Sequence, residues 1–401
     1  MTQVTTRSRR LVGIGMSLGI RTWTTVAVGV VVAMAISSAN VLGPSASATA
    51  ASESGAGTGA LPFGIPGLRA LSCGSTEDCV GVAEAGAVVY TSNGGRSWST
   101  GLLPRGPLPI LDLVSCASAK HCVAMGDLQT FKGEEVLVTN NGGATWSQTL
   151  TYAGNLASAS CSTADDCLAV GDTGKGGTNG ATAAYSVDGG RSWTTVHVPY
   201  AVSALGGVAC ASKSDCVALG GAYSAYLPVT AFYTTDGGRS WTAGKSPTEP
   251  AGSDIFISSV SCSSTTVCAA VGSEEWPATG PDGVVNNIDV GIHTDNGGKS
   301  WFTSTFASPM SEPHAQPVLV DLSCSSHLSC VAVGGNGPLD GMAAFSRDGG
   351  KSWFGASVAS GVAGLYAVAC TTPSDCIGVG GSDTGHSATA VYTKDAGRSW
   401  S

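Results

Sequence analysis

"FISSVSCSSTTVCAAVGSEE" (256–275), resumed as "VGIHTDNGGKSWFTSTF" (290–306), is the stretch whose reading decides the fold. "ISSVSC" reads as a strand and "CAAVG" as a second, joined by a short turn that Cys262 and Cys268 bracket. "VGIHT" is a third strand, "DNGG" a turn and "WFTSTF" a fourth. Short β-branched runs between Gly, Ser, Asn and Asp clusters are strand and turn signals, and nothing here has helical periodicity.

The same unit recurs seven times. The fourteen cysteines fall into pairs of constant spacing: Cys73/Cys79, Cys116/Cys122, Cys161/Cys167, Cys210/Cys216, Cys262/Cys268, Cys324/Cys330 and Cys370/Cys376. Each pair is followed by a turn phrase: "TSNGGRSW" (91–98), "TNNGGATW" (139–146), "SVDGGRSW" (186–193), "TTDGGRSW" (234–241), "TDNGGKSW" (294–301), "SRDGGKSW" (346–353) and "TKDAGRSW" (393–400). Four strands per unit at a period near 50 residues is the signature of a propeller blade. The expectation is an all-β, seven-bladed β-propeller with four antiparallel strands per blade. The 57 Gly and 12% charged residues suit short strands and tight turns.

In the turn phrase, Asp or Asn bonds backbone N–H groups ahead of it, and Gly takes a positive φ. The closing Trp opens the outer strand and buries its ring. The phrase resembles the Asp-box (BNR) repeat of sialidases, sortilin-type receptors and photosystem II stability/assembly factors. The resemblance spans residues 57–401 and implies the propeller fold, with the box lying away from the active face and carrying no chemistry.

Cysteine pairs across one short turn of an exported chain read as hairpin disulfides, each worth ~2 kcal/mol on the loop-entropy model. Zinc sites favour a closer spacing with nearby partners. The last unit stops at Trp400-Ser401, whereas "TGALP" (58–62) matches "TGLLP" (100–104) of the first unit's fourth strand. The N-terminal segment is therefore expected to complete the last blade and remove its open edge.

Residues 1–50 stand apart: Arg7, Arg9, Arg10 and Arg21 precede the apolar run 26–36, and "ASATA" (46–50) offers a cleavage site. They read as a secretory signal peptide, the alternative being an uncleaved membrane anchor; 51–56 follow as a linker. Without them, 15 basic residues face 28 acidic ones, a net charge of −13. That balance argues against nucleic acid as a partner. Apart from that segment no membrane contact is expected, and no cofactor or metal is implied.

Function is expected where the repeats differ. Five residues before each first cysteine stands Leu or Ile, and the next two positions vary: Arg69-Ala70, Asp112-Leu113, Ala157-Ser158, Gly206-Gly207, Ser258-Ser259, Val320-Asp321 and Tyr366-Ala367. First strands of propellers line the central channel, so Arg69, Asp112, Asp321 and Tyr366 are expected as a charged arc at its mouth, on blades one, two, six and seven. A second candidate is the insertion "SEEWPATGPDGVVNNID" (273–289), where Glu274, Glu275 and Trp276 suit sugar stacking or protein contact. Asp127 and Asp172 open equivalent loops and read as solvated turn residues.

Other motifs fail. "GMSLG" (15–19) lies in the leader, and "GGKSW" (297–301, 349–353) lacks the earlier Gly of a phosphate-binding loop. "PFGIP" (62–66) is similar to the sialidase F-R-I-P phrase, with Gly64 in place of the Arg. Beyond the leader only Arg69 and Arg105 lie outside the turn phrases, so the arginine triad of those enzymes is absent. The reading is a secreted, non-enzymatic binding or assembly module for a cell-surface glycan or extracellular protein. The alternative is a glycoside hydrolase using Asp112 and Asp321, with Tyr366 beside them.

Overall fold

The computed structural model describes residues 61–401 apart from 63–64, 66, 84–85, 106–109, 128–133, 151–153, 174–179, 199–201, 222–228, 249–253, 277–285, 308–316, 326–327, 337–340 and 383–387. Seven sheets follow one another along the chain, antiparallel within each blade, with Thr305–Phe306 of blade five adding parallel to the outer strand Ser352–Ala356 of blade six, and there is no α-helix among the described residues. The first blade runs outward through Leu68–Cys73, Asp78–Ala83, Val88–Ser92 and Ser99–Thr100. Blades two to six repeat this order. The first strand of each blade touches the first strands on both sides, and that of blade seven touches that of blade one, so the ring closes.

Packing explains the composition. Middle strands such as "CLAVGD" (167–172) and "EEVLVT" (134–139) are buried almost throughout, because the faces of adjoining blades cover them on both sides. Small Ala, Val and Gly side chains let two sheets lie face to face. Each turn-phrase Trp then fills the core between its own blade and the one before. Trp146 of blade two packs with Val80, Val82 and Val88 of blade one, and Trp353 of blade six with Ala269 and Val271 of blade five.

The turn phrase is one hydrogen-bonded unit. In blade four the Thr234 hydroxyl accepts the Gly238 N–H at 3.0 Å and donates to Asp236 Oδ1 at 2.8 Å, while Asp236 Oδ1 accepts the Ser240 N–H at 2.9 Å. Gly237 and Gly238 hold φ of 70° and 85°, where an L side chain is strained. Beyond the Trp, the outer strand reaches the next blade's turn phrase: Leu102 N–H donates to Ala144 O at 2.9 Å, and Trp146 N–H returns to Leu102 O at 3.1 Å. The same lacing joins blades four to five, five to six and six to seven.

All seven cysteine pairs form disulfides across directly paired positions of strands one and two, with Cα–Cα distances of 3.9–4.0 Å. Seven disulfides belong to an oxidising, extracellular type of environment. The pairing is as expected, and several of the bridges reach deep into the protein. Cys79 and Cys122 are each 1% exposed and Cys330 is 0% exposed, so the Cys73–Cys79, Cys116–Cys122 and Cys324–Cys330 bridges end inside the protein. The second cysteine stands at the start of the second strand, which adjoining blades cover on both faces. Cys79 thus packs in the core between blades seven and one, Cys122 between blades one and two, and Cys330 between blades five and six.

Among the described residues blade seven has three strands, Val362–Cys370, Cys376–Ser382 and Ala388–Thr393. Tyr392 and Ser401 exchange backbone hydrogen bonds of 2.9 and 3.0 Å where a fourth strand begins. Residues 58–60 of the expected clasp lie outside the described residues. Leu61, next along, packs into the core between blades seven and one, as Leu103 packs between blades one and two. Ile65 O accepts the Ala388 N–H at 3.3 Å, which ties the N-terminal segment to the third strand of blade seven.

A further expectation changes in blade five. The stretch 273–289 is not all loop: the second strand continues to Trp276 and the third begins at Asn286, with Glu274 paired to Ile288. The hairpin is extended, and its tip, 277–285, lies outside the described residues.

Candidate functional site

In every blade the register between strands one and two breaks four residues before the first cysteine, and blade seven has a second break between Val362 and Gly364. Leu68 and Ala70 pair with neighbouring partners Ala83 and Val82, leaving Arg69 as the extra residue of a β-bulge. The same shift leaves out Asp112, Ala157, Gly206, Ser258, Val320 and Tyr366. A bulge re-aims the extra side chain, and these seven residues all line the central channel, a cavity of about 440 Å³.

The bulge has a signature that the sequence reading missed. It brings a first-strand carbonyl against the second strand, where a Cβ on Gly126 would lie 1.8 Å from Ile110 O, and one on Gly380 1.8 Å from Gly364 O. Only glycine fits. Six of the seven second strands accordingly read Cys-x-x-x-Gly, and blade one has Ala83 at that place.

The predicted arc divides in two. Arg69, Asp112 and Tyr366 sit on the bulges of three consecutive blades, one, two and seven. Arg69 Nη1 donates to Asp112 Oδ1 at 3.0 Å, with the two side chains 46% and 45% exposed. Tyr366 is 48% exposed. Its ring rests beside Gly67, Gly364 and Gly381, where an added Cβ would come 3.5–3.7 Å from ring carbons.

Asp321 behaves differently, because it stands one residue after the bulge. Its Oδ1 accepts the Ser259 hydroxyl at 2.9 Å and its Oδ2 the Val368 N–H at 2.8 Å, which joins blades five, six and seven. Burial pushes this carboxyl up to about 6, against the hydrogen bonds from Val368, Leu322 and Ser259. It borders the channel and keeps some exposure there, yet both oxygens serve the scaffold. Ser158 does the same for blades three and four, accepting the Val208 N–H at 3.1 Å. Asp112 and Asp321 lie three blades apart, the largest separation a ring of seven allows, and both border the one channel.

A ring of serines two residues further along was also missed. Ser72, Ser115, Ser160, Ser261 and Ser323 each accept the first-cysteine N–H of the next blade at 2.9–3.0 Å and line the channel below the bulges. Ser immediately before the first Cys in five of seven repeats was the available signal.

The second candidate is also revised. Glu274 is only 6% exposed and pairs with the buried Ile255 on one side and with the half-exposed Ile288 on the other. The side chains of Glu275 and Trp276 lie outside the described residues, as does that of Asp127. Asp172 Oδ1 accepts from Asn155 Nδ2 at 3.4 Å, closing the end of its own hairpin. No group of three or more potential metal ligands occurs among the described residues.

No family model matches the chain, and no curated protein matches it in sequence. Solved structures do share its fold. It is similar to YCF48 from Cyanidioschyzon merolae, at 15% identity and a TM-score of 0.54, over 84% of this chain and 98% of that one. It is similar to YCF48 bound to a D1 peptide, at 14% identity and a TM-score of 0.52, over 84% and 99%. A GH74 enzyme of Niastella koreensis gives 13% identity and a TM-score of 0.54, over 86% of this chain and 55% of that one. At such identities the likeness is one of fold.

Proposed function

We propose that this chain is an exported, non-enzymatic binding propeller that holds an extracellular glycan or protein at the mouth of its central channel. One observation carries the reading. Seven equivalent bulges present seven different residues to one cavity, while the scaffold around them repeats nearly unchanged. A scaffold needs no variety at those positions, whereas a recognition surface does. The YCF48 propeller, captured with a D1 peptide, supports the use of such a fold for binding. The basic, apolar segment 1–50 and the seven disulfides support export, with cleavage after Ala50. The turn phrases support placement among the Asp-box propellers.

Hydrolysis draws no comparable support, since Asp321 is engaged with the scaffold and Asp112 with Arg69. The test is retention. The purified protein, immobilised, is offered a random peptide display library and a panel of soluble polysaccharides, beside an Arg69→Ala/Asp112→Ala/Tyr366→Ala variant. Retention by the parent and loss in the variant is expected. Retention that the triple variant leaves intact would remove the channel mouth as the site.

A further inference from the structure

We infer that the channel mouth at blades seven, one and two is a subsite for a neutral sugar ring, stacked on Tyr366 and held through its hydroxyls by Arg69 and Asp112. This rests on the proposed binding function and names its ligand class.

Tyr366 is the first reason. Its bulge equivalents Ala157, Gly206 and Ser258 show that a small residue satisfies the fold at this position. Here instead a large aromatic side chain stands half-exposed against a glycine-lined wall, and its hydroxyl has no partner among the described residues. Gly364 and Gly381 come from its own blade and Gly67 from blade one, so two blades leave room for the ring. A flat apolar surface with a polar tip at the edge of a wet cavity suits a ligand with one apolar face and a hydroxylated rim.

The Arg69–Asp112 pair is the second reason. An anionic ligand must compete with Asp112 for the guanidinium and approach a chain of formal charge −9. A cationic ligand must draw Asp112 away from Arg69. Each breaks the Arg69–Asp112 ion pair. A hydroxyl both donates and accepts, so neighbouring hydroxyls bridge carboxylate and guanidinium while the pair stays together. Asp112 uses only Oδ1 for Arg69, which leaves Oδ2 as an acceptor. The serine ring beneath gives the channel polar walls, and about 440 Å³ lies within the usual range for small-ligand sites.

The test measures binding of the purified protein to three neutral polysaccharides (a β-glucan, a mannan and an arabinogalactan) and two acidic ones (a polygalacturonate and a hyaluronate). At least one neutral polymer should bind, and the acidic ones should not. Tyr366→Ala should weaken that binding about tenfold or more, while Tyr366→Phe should stay within about threefold. Asp112→Asn should weaken it too, with the melting temperature of every variant unchanged. Preference for the acidic polymers, or neutral binding indifferent to Tyr366→Ala, would overturn the sugar subsite. Peptides from a display library that bind the parent and not Tyr366→Ala, with no polysaccharide bound, would overturn it while sparing the channel-mouth function. Binding of neither kind overturns both.

Discussion

The backbone N–H of Val368 in blade seven donates to Asp321 Oδ2 in blade six at 2.8 Å, across the boundary between two sheets. With Ser259 on its other oxygen, one carboxyl holds three blades together at the channel wall. Asp321→Ala leaves a backbone N–H and a hydroxyl without their acceptor, and should cost about 1–3 kcal/mol. Denaturant unfolding of the purified protein measures this. A loss below about 0.5 kcal/mol would mean that the bridge is replaceable by water.

The same group gives a pH dependence whose sign is fixed. Burial pushes Asp321 and Asp289 up to about 6, Asp289 against a 3.0 Å hydrogen bond from the Leu319 N–H. Folding therefore favours the protonated forms. Their contribution is complete below the ordinary carboxylate value near 4 and is lost as pH rises from there through about 6. Asp395 acts in the opposite sense. Hydrogen bonds from Ser399 and Thr393 hold it below its ordinary value, so its contribution is lost only on further acidification. Melting temperatures taken from pH 4 to 7 should fall through that window and level off above it. Asp321→Asn should flatten the slope, and an unchanged slope would assign it to other groups.

Blade seven carries Ala396 where the other turn phrases have Gly, and its φ is +62°. Relief of that strain should make Ala396→Gly stabilising by about 1 kcal/mol, the reverse of the usual effect of glycine. Thermal melting decides it, and a drop in stability would show that the local hydrogen bonds already absorb the strain.

Trp146 and Trp353 fill equivalent places with different polar outcomes. Trp146 Nε1 donates to Gly143 O at 3.0 Å, whereas the buried Nε1 of Trp353 has no acceptor among the described residues. Trp→Phe at either site leaves a cavity, but only at Trp146 does it break a hydrogen bond. Trp146→Phe should therefore cost about 1 kcal/mol more than Trp353→Phe, as read from paired urea titrations. Equal losses would mean that the indole N–H contributes nothing at this position.

Much of this was legible in the chain because a repeat compares a sequence with itself. Seven pairs of Cys73/Cys79 type and seven turn phrases gave blade number, strand order and disulfide pairing, since each depends on residues close in sequence. The depth of those bridges was not legible. Cys79, Cys122 and Cys330 are buried by neighbouring blades, which lie tens of residues away along the chain. Nor was the fate of Glu274. Its neighbours suggested a loop, but the hairpin continues past it, and strand alternation turns its side chain to the interior beside Ile255. Arg69 and Asp112 were legible as variable charged positions, but which charges pair was not, because the contact forms between two sheets 43 residues apart along the chain.

The sequence by itself determined the scaffold. Local turn chemistry, cysteine spacing and strand alternation act over a few residues and need no knowledge of the ring. Only the tertiary structure decided which variable residues are displayed and which are consumed. Val320 and Asp321 are adjacent in sequence, yet the bulge places Val320 as the extra residue and gives Asp321 to the Val368 N–H of the next blade. The reason is the register of two strands combined with the closeness of a third from another blade. Those distances exist only once the seven sheets have packed around a common channel.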